Sequence, residues 1–342
     1  MPPEPYFDLY TRNGFVGPAS TLIRTQHSPD YTRVEGIYAP RRIDTGRLDV
    51  GLFSPRPLPI PLLDSGDVKV SSWRLRQSTP FAIRNVVGDE LLFVVSGTAR
   101  LETDFGVLDL VPEDFVLLPR AVTYRLVEVD QFDALVVSAD DATTWRIDPE
   151  HAAVLNPDLH VDTPRPYDDP VAGEGEYEVL VLHGDGCTSF FYDRDPIPIA
   201  ATGGAPVVQR FNLTNVQGIS VEQGSVPPPR LINDSSTRNL FFYLGSRKVD
   251  DPPIHHNADY DEVVVYTRGP GHYGSLDTPG FVTWTPKGIV HEGPPENVVA
   301  GYRAWLFESR ARLRPTTAAL KISEVMETTN WEVHPSVAGS RR

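Results

Sequence analysis

The chain has 342 residues, which is long enough for two β domains that each bury a core. Its formal net charge is −15 with no basic stripe to offset it, so nucleic acid and anionic membranes are not expected partners. A single cysteine, Cys187, excludes a disulfide within the chain and metal sites built from cysteines, and 33 prolines disfavour long helices.

The first residues, MPPEPYFDLYTRNG, lack the apolar core of a secretory signal. No later stretch approaches the ~20 consecutive apolar residues of a membrane-spanning helix. We therefore expect a cytoplasmic protein that has no membrane partner.

Residues 1–75 are rich in proline, arginine and aspartate, which predicts an irregular arm with a few short strands at most. From Phe81 the chain shows short runs rich in valine, leucine and phenylalanine: residues 90–96, 98–103 and 114–118. Turn residues such as Gly97 and Pro112 separate these runs. Such spacing is typical of an antiparallel sandwich or barrel, so residues 1–146 are predicted to form the arm and a first β lobe.

Residues 147–177 contain several prolines, aspartates and glycines, and they are predicted to connect two lobes. A second set of apolar runs follows, with one helix predicted near the end, over residues 317–328. The predicted strands are residues 178–182, 189–192, 207–213, 239–244, 262–267, 281–285 and 302–307. Residues 178–342 are therefore predicted to form a second β lobe with a C-terminal extension.

The second lobe contains a motif whose spacing follows the pattern H-x-H-x4-E-x6-G. His255, Glu262 and Gly269 occupy its fixed positions, and Asn257 stands where the pattern has its second histidine. The companion half, G-x5-P-x-G-x2-H, matches without a gap at four residues: Gly280, Pro286, Gly288 and His291. Agreement across two motifs is a more specific signal than either motif alone. Together they resemble the two halves of the cupin signature, and this resemblance implies a cupin barrel in this lobe.

The spacing gives a physical reason for a metal site formed by His255, Glu262 and His291. His255 would lie at a strand end, Glu262 on the next strand and His291 across the barrel, with all three side chains inside. Strand alternation allows this because residues two apart share a face. Two imidazoles and one carboxylate bind one face of an octahedral ion and leave other positions open. Non-haem Fe(II) oxygenases use this arrangement, so Fe(II) is the predicted cofactor.

His256 is a rival of His255 for the metal, because a slip of one residue along the strand would exchange them. The pattern favours His255, and the slip stays open. Histidines elsewhere in the chain are interpreted as packed or solvated side chains: His27, His151, His160, His183 and His334.

The first lobe contains a partial match to the same pattern, in which Glu90 begins an apolar run. Ile83 stands seven residues before Glu90, where the metal histidine would be. No histidine occurs between His27 and His151, so this lobe cannot form the same site. The predicted fold is therefore a mainly β bicupin with two antiparallel double-stranded β-helix lobes, few short helices and one metal site. Glu90 is predicted to be an ordinary polar residue.

Further residues, in their order along the chain, resemble the homogentisate 1,2-dioxygenases, a family of ring-cleaving Fe(II) enzymes. In the first lobe the similar segments are Asn85–Phe93, Glu102–Gly106 and Leu118–Arg120. In the second lobe they are Phe211–Asn215, Pro252–Pro253, His255–Asn257, Glu262, His272–Tyr273, His291–Pro294 and Leu306–Ser309. The resemblance covers most of residues 28–335, and the iron pattern is its most specific part.

Position by position, the resemblance implies that His255, Glu262 and His291 bind iron and that Tyr273 helps to hold the substrate. It implies a small aromatic substrate, homogentisate or a related hydroquinone, whose ring is opened with O2. It also implies a homo-oligomer, since trimers pair into hexamers in the family.

The chain departs from the family at two histidines. Residues 218–224 lack the family's base histidine, and Phe281–Val290 lacks its second substrate-facing histidine. Glu222, His256 and His272 are the candidate substitutes for the base. Structural interpretations stay open beside these: a solvated loop residue for Glu222, a surface histidine for His272, and a packed aromatic for the neighbouring tyrosine.

Two other functions stay open. The missing histidines allow an iron cupin oxygenase that acts on a different phenol or on a natural-product intermediate. A non-catalytic bicupin that binds a small ligand is the alternative from another class, and its metal content would distinguish it.

Overall fold

The structure is a computed structural model that describes residues 5–15, 17–25, 30–49, 56–140, 145–147, 155–184, 186–205, 207–216, 218, 227–234, 236–246, 253–269, 278–293 and 301–328. The chain divides into two compact units. The central unit comprises Asp49–Arg146 and Leu155–Val216. The terminal unit comprises Met1–Leu48, Ile147–Val154 and Gln217–Arg342.

Strands make up most of the regular structure in the described residues. In chain order they are β1 (Tyr6–Thr11), β2 (Ala19–Arg24), β3 (Arg41–Asp44), β4 (Ile60–Asp64), β5 (Val68–Leu75), β6 (Ala82–Asn85), β7 (Asp89–Thr103), β8 (Gly106–Leu110), β9 (Asp114–Leu118), β10 (Thr123–Ala139), β11 (Trp145–Ile147), β12 (Val161–Asp162), β13 (Glu174–His183), β14 (Gly186–Arg194), β15 (Gln209–Asn212), β16 (Arg230–Asp234), β17 (Asn239–Gly245), β18 (His255–Asn257), β19 (Asp261–Arg268), β20 (Phe281–Thr285), β21 (Arg303–Ser309), β22 (Arg314–Pro315) and β23 (Ser323–Val325). The α-helices are α1 (Pro157–His160) and α2 (Thr317–Lys321). The predicted fold class, mainly β with antiparallel sheets and few short helices, is confirmed.

Both helices are short. Thr316 caps the start of α2, since its side-chain oxygen accepts a hydrogen bond from the backbone of Ala319. The predicted helix over 317–328 was too long, because β23 follows at once and pairs with β3. Neither helix of the described residues reaches the length that a bilayer crossing needs.

The central unit is built around the long antiparallel pair β7 and β10. Its sheet runs in the order β12-β15-β9-β7-β10-β5-β4, and β6 extends it toward β13 and β14. Alternate apolar residues of these strands meet in one core, since successive side chains of a strand point to opposite faces. Core members include Trp73, Leu92, Leu101, Val116, Leu126 and Phe132.

The compact units divide the chain differently from the predicted domains 1–146, 147–177 and 178–342. The strands of 178–213 belong to the central unit, where β13 pairs with β6 and β15 pairs with β9. Phe211 of β15 stacks on Phe115 of β9 with ring centroids 4.9 Å apart. The first three strands, in contrast, belong to the terminal unit. A proline-rich stretch indicates a connection, but it carries no information about which sheet the following strands join.

The terminal unit has a sheet in which β16, β17, β21, β19, β20, β3 and β23 are neighbours in that order. A second, smaller sheet joins the β1–β2 hairpin to β18 through a parallel pairing of β1 with β18. On β19, Glu262 alternates with Val264 and Tyr266 on one face. Apolar residues of this unit pack in a common cluster: Leu240, Phe242, Leu244, Tyr260, Val264, Tyr266, Tyr302, Ala304, Leu306 and Met326.

Candidate metal centre

Three side chains of the terminal unit converge: His255 of β18, Glu262 of β19 and His291. Nε2 of His291 lies 3.3 Å from Oε2 of Glu262, and Nε2 of His255 lies 3.8 Å from Oε1. One donor atom from each residue lies within 4.8 Å of the others. Neighbouring ligands of an octahedral ion with bonds near 2.1 Å are about 3 Å apart, so small side-chain shifts would bring all three onto one ion.

Backbone pairing places the two histidines side by side. His255 N–H donates to the carbonyl oxygen of His291 at 3.0 Å, and His291 N–H donates to that of His255 at 2.9 Å. A doubly bonded antiparallel pair puts both side chains on one face, and the ring centroids are 4.3 Å apart. The turn before His291 contains Pro286 and Gly288, as the motif predicts, and Gly288 has a positive φ of 79°.

The second nitrogen of each imidazole is held by a backbone carbonyl. Nδ1 of His255 lies 2.9 Å from the oxygen of Pro253, and Nδ1 of His291 lies 3.0 Å from the oxygen of Ile289. A carbonyl oxygen can only accept, so Nδ1 carries the proton in the neutral ring. Nε2 is then left as the lone-pair donor beside Glu262, which is the usual orientation of a metal-binding histidine.

The connection between β18 and β19 is fixed by Asn257. Its side-chain oxygen accepts hydrogen bonds from the backbone N–H groups of Asp259 and Tyr260, both at 3.2 Å. Its backbone oxygen accepts from Gly288 at 2.7 Å. Next to Glu262, the buried carboxylate of Asp261 accepts from Lys287 N–H at 2.9 Å. These hydrogen bonds fix the positions of the three candidate ligands relative to one another.

Burial and mutual charge control the protonation of the cluster. Burial by itself would raise the pKa of Glu262, but the charge of His291 and the hydrogen bond with His255 outweigh it, and the pKa is lowered. Burial would likewise lower the pKa of His255, but its hydrogen bond and charge interaction with Glu262 raise it. Glu262 is therefore an anion at neutral pH, as a metal ligand must be.

The cluster lines a cavity of about 270 Å³. Its walls are mostly apolar side chains: Leu9, Phe15, Leu244, Val264, Leu306 and Met326. A cavity of roughly 150 Å³ is enough for benzene, so one substituted aromatic ring fits this space.

The N-terminal hairpin forms part of this cavity, which the sequence did not indicate. Leu9 of β1 lies beside His255 in the parallel ladder, and its N–H donates to Ile254 at 2.9 Å. Asp8, which is fully buried, has a carboxylate oxygen 2.8 Å from Nδ1 of His256 and another 3.2 Å from Arg24. Local alternation did not indicate this contact, because it would place Asp8 outside between apolar Phe7 and Leu9, whereas Phe7 is 55% exposed and Asp8 is buried.

The candidate base residues have different outcomes. His256 is half-buried and hydrogen-bonded to Asp8, and it is absent from the described residues that line the cavity. Its role as a base stays a prediction. Glu222 and His272 lie outside the described residues, and so does Tyr273, the candidate for holding the substrate.

Glu308 of β21 is a site residue to which the sequence analysis gave no role. It is 1% exposed, lines the cavity and lies opposite Glu262 in the strand register. Burial and the charge of Glu262 raise its pKa well above the ordinary value, although a hydrogen bond from Asn257 opposes them. The available signal was a carboxylate two residues after Leu306, directly after the apolar run 304–307.

In the central unit the position equivalent to the metal histidine is Ile83, which is fully buried. Glu90 is buried too, at 6% exposed, and it accepts a hydrogen bond from the Tyr124 hydroxyl at 2.9 Å. The prediction that Glu90 is an ordinary polar residue said nothing of its burial, and the structure places it in the core among apolar strands. Among the described residues, no metal-binding cluster other than that of the terminal unit is found.

Comparison with known proteins gives these similarities. No protein-family model matches the chain. A protein of Saccharolobus solfataricus, named as a candidate dioxygenase, is 20% identical over 276 residues, which cover 74% of this chain and 71% of that protein. A cupin barrel protein from Leptotrichia buccalis is 10% identical, with 81% of this chain and 98% of that one covered and a TM-score of 0.37. The oxalate decarboxylase of Bacillus subtilis, which has Mn(II) centres, is 13% identical, with 88% and 82% covered and a TM-score of 0.39. These TM-scores are too low for the alignments to bear on the chemistry of this chain.

Proposed function

We propose that the chain is an Fe(II)-dependent dioxygenase that opens the ring of a dihydroxylated aromatic with O2. The observation that carries the proposal is the convergence of His255, Glu262 and His291 in the wall of a mostly apolar cavity. The similarity to the candidate dioxygenase of S. solfataricus supports an oxygenase. The resemblance to homogentisate 1,2-dioxygenases supports homogentisate or a related hydroquinone as the substrate.

The donor set fits the proposed metal. Two neutral imidazole nitrogens and one carboxylate are the ligands of the 2-His-1-carboxylate facial triad, and the chain's one cysteine, Cys187, does not belong to the cluster. When bound, a ferrous ion supplies the redox chemistry by which O2 reacts with an electron-rich aromatic ring.

The protein's own residues would prepare this site in three ways. The carbonyls of Pro253 and Ile289 hold the two imidazoles with Nε2 available. The lowered pKa of Glu262 keeps its carboxylate charged. Apolar walls such as Val264 exclude water and hold the ring. The group that accepts the phenolic proton stays a prediction, with Glu222, His256 and His272 as candidates.

The proposal is tested by loading the purified protein with Fe(II) without oxygen and then following O2 uptake. Homogentisate, gentisate and substituted hydroquinones form the panel. We expect one substrate to consume one O2 per ring opened, with both atoms of isotopically labelled O2 in the product by mass spectrometry. Full iron loading with no uptake across the panel would contradict ring cleavage of these compounds.

A second candidate is an iron oxygenase that acts on another phenol or a biosynthetic intermediate. It is favoured by the absence of histidine from 218–224 and 281–290, where the family has its base and a substrate-facing histidine. An untargeted O2-uptake screen with the same iron-loaded protein would distinguish the two. A third, a non-catalytic ligand-binding bicupin, predicts a protein that is purified without metal and does not take it up. The expected homo-oligomer is checked by the mass of the protein in solution.

A further inference from the structure

The buried carboxyl group of Glu308 has one oxygen that accepts no hydrogen bond from a described residue. Oε1 accepts a hydrogen bond from Nδ2 of Asn257 at 3.3 Å. Oε2 is buried and has no hydrogen-bond partner in the part of the chain that the structure describes. Such a group is costly to keep unless something else in the functional state satisfies it. Because Glu308 lines the cavity, a ligand in that cavity is the available partner.

Strand register places Glu308 next to the candidate metal centre without making it a member. Glu262 and Glu308 are directly opposite on β19 and β21, and alternation puts Val264 and Leu306 on the same face. The cluster of donor atoms within 4.8 Å of one another contains only His255, Glu262 and His291 among the described residues. Glu308 is therefore within reach of a ring that lies against the cluster, but it is not one of the grouped ligands.

Asn257 holds this carboxyl group in one orientation. Its oxygen is engaged by the N–H groups of Asp259 and Tyr260, which leaves Nδ2 as the donor to Glu308. Asn257 is also the residue that replaces the second histidine of the cupin pattern. The asparagine at this position therefore donates a hydrogen bond to Glu308.

The turn of the N-terminal hairpin closes over the same carboxyl group. Gly14 has a φ of 60°, and a Cβ at this residue would lie 2.2 Å from Oε2 of Glu308. A glycine favours the left-handed backbone here and permits the close approach to the carboxyl group. Glu308 is therefore enclosed between the hairpin turn and the cavity.

We propose that Glu308, oriented by Asn257, is a substrate-positioning residue that binds a hydroxyl group of an aromatic ligand through Oε2. The inference rests on the proposed function, because it takes the ring to lie against the metal centre. It adds a specificity: the ligand needs a hydroxyl group besides the one that faces His255, Glu262 and His291. The other walls are mostly apolar and would hold the carbon skeleton.

Calorimetric titration of the anaerobic Fe(II)-loaded protein tests this inference. The probes are phenol, which has one hydroxyl group, and catechol, resorcinol and hydroquinone, which have two. For the wild type we expect one dihydroxybenzene to bind about tenfold more tightly than phenol, which corresponds to one hydrogen bond to a carboxyl group. Glu308→Leu should remove this preference and leave the affinity for phenol and the iron content unchanged. Glu308→Gln should restore most of it.

Two further variants keep the test decisive. Asn257→Asp retains the oxygen that accepts from Asp259 and Tyr260 but loses the donor to Glu308, so it should also remove the preference. It serves as the test if Glu308→Leu does not fold. Glu324→Gln changes an exposed carboxylate paired with Arg42 and should behave as the wild type.

Equal affinities of all four probes for the wild type would overturn the inference. Loss of iron from Glu308→Leu would also overturn it, because Glu308 would then belong to the metal centre. An equal change in the affinity of Glu308→Leu for all four probes would do the same. A preference that depends on Glu308 in a protein without O2 uptake would support the inference and contradict only the proposed function.

Discussion

The carboxylate of Asp8 and the imidazole of His256 are hydrogen-bonded at 2.8 Å, and this contact separates two adjacent histidines. Successive residues of a strand point to opposite faces, so His256 cannot join Asp8 while sharing a face with His255. The hairpin strand β1 thus holds the register of β18, and His255 is the histidine that meets Glu262 and His291.

The first prediction concerns the choice of ligands. His255→Ala, Glu262→Ala and His291→Ala should each lose bound iron, because two ligands do not retain the ion. His256→Asn should keep it, since the asparagine amide can donate to Asp8 where Nδ1 does now. The measurement is iron content after anaerobic loading and desalting. Retention by His255→Ala together with loss by His256→Asn would show that the strand is one residue out of register.

The second prediction is a pH window for the metal-free protein. The pKa of Glu262 is lowered from 4.5, so its stabilising effect is present above pH 4.5 and lost as pH falls through the folded value. The pKa of His255 is raised from 6.5, so its effect is present below pH 6.5 and lost as pH rises through the folded value. The pair should therefore stabilise the apo protein most between pH 4.5 and 6.5.

Urea unfolding of the apo wild type and of apo His255→Gln across pH 4 to 8 measures this effect. The free-energy difference between them should be largest inside the window. Iron affinity should change in the opposite direction, rising as pH increases above 6.5, because protons compete with the metal for His255. A stability difference that does not vary with pH would contradict the assigned coupling.

The part of the centre that the sequence predicted depends on short-range geometry. His255 and Glu262 are seven residues apart on consecutive strands, and His291 follows a turn whose Pro286 and Gly288 are visible in the motif. Alternation and turn chemistry are sufficient to bring such residues together. The mainly β fold was predictable for the same reason, from apolar runs and turn residues.

The missed features depend on pairings between distant segments. Glu308 meets Glu262 only because β21 lies beside β19, and Asp8 meets His256 only because the first strand joins β18. Strand pairing of this kind leaves no local pattern in a single sequence. The compact units differ from the predicted domains for the same reason, since nothing in residues 178–213 indicates which sheet they enter.

The third prediction concerns Asp261, the buried neighbour of Glu262. Its two oxygens accept hydrogen bonds from the N–H groups of Lys287, at 2.9 Å, and Leu313, at 2.8 Å. In Asp261→Asn one of these N–H groups would face an amide donor and lose its partner. We expect a loss of about 1–3 kcal/mol in the free energy of unfolding and weaker iron binding.

Urea unfolding and iron titration check this expectation. Asp259→Asn is the matched control, because Asp259 forms a solvent-exposed ion pair with Arg12, and loss of such a pair should change the stability little. Equal stabilities of the two variants would show that Asp261 does not hold the strand end beside the metal centre.

The last prediction tests the core of the central unit through Glu90. Burial raises the pKa of Glu90, although hydrogen bonds from Asn85 and Tyr124 oppose the shift. The pKa of Glu90 in the folded protein lies above 4.5, its ordinary value, so the unfolded chain releases this proton at lower pH. The free energy of unfolding therefore falls as pH rises from 4.5 to the folded pKa. Glu90→Gln keeps an acceptor for Tyr124 and removes the ionisation. The free energy of unfolding of this variant, measured with urea, should match that of the wild type near pH 4 and exceed it increasingly at higher pH.

Tyr124→Phe should lower the free energy of unfolding by about 1–2 kcal/mol at neutral pH, since Glu90 then loses a donor. Neither variant should change the iron content, and loss of iron from either would place a metal ligand in the central unit.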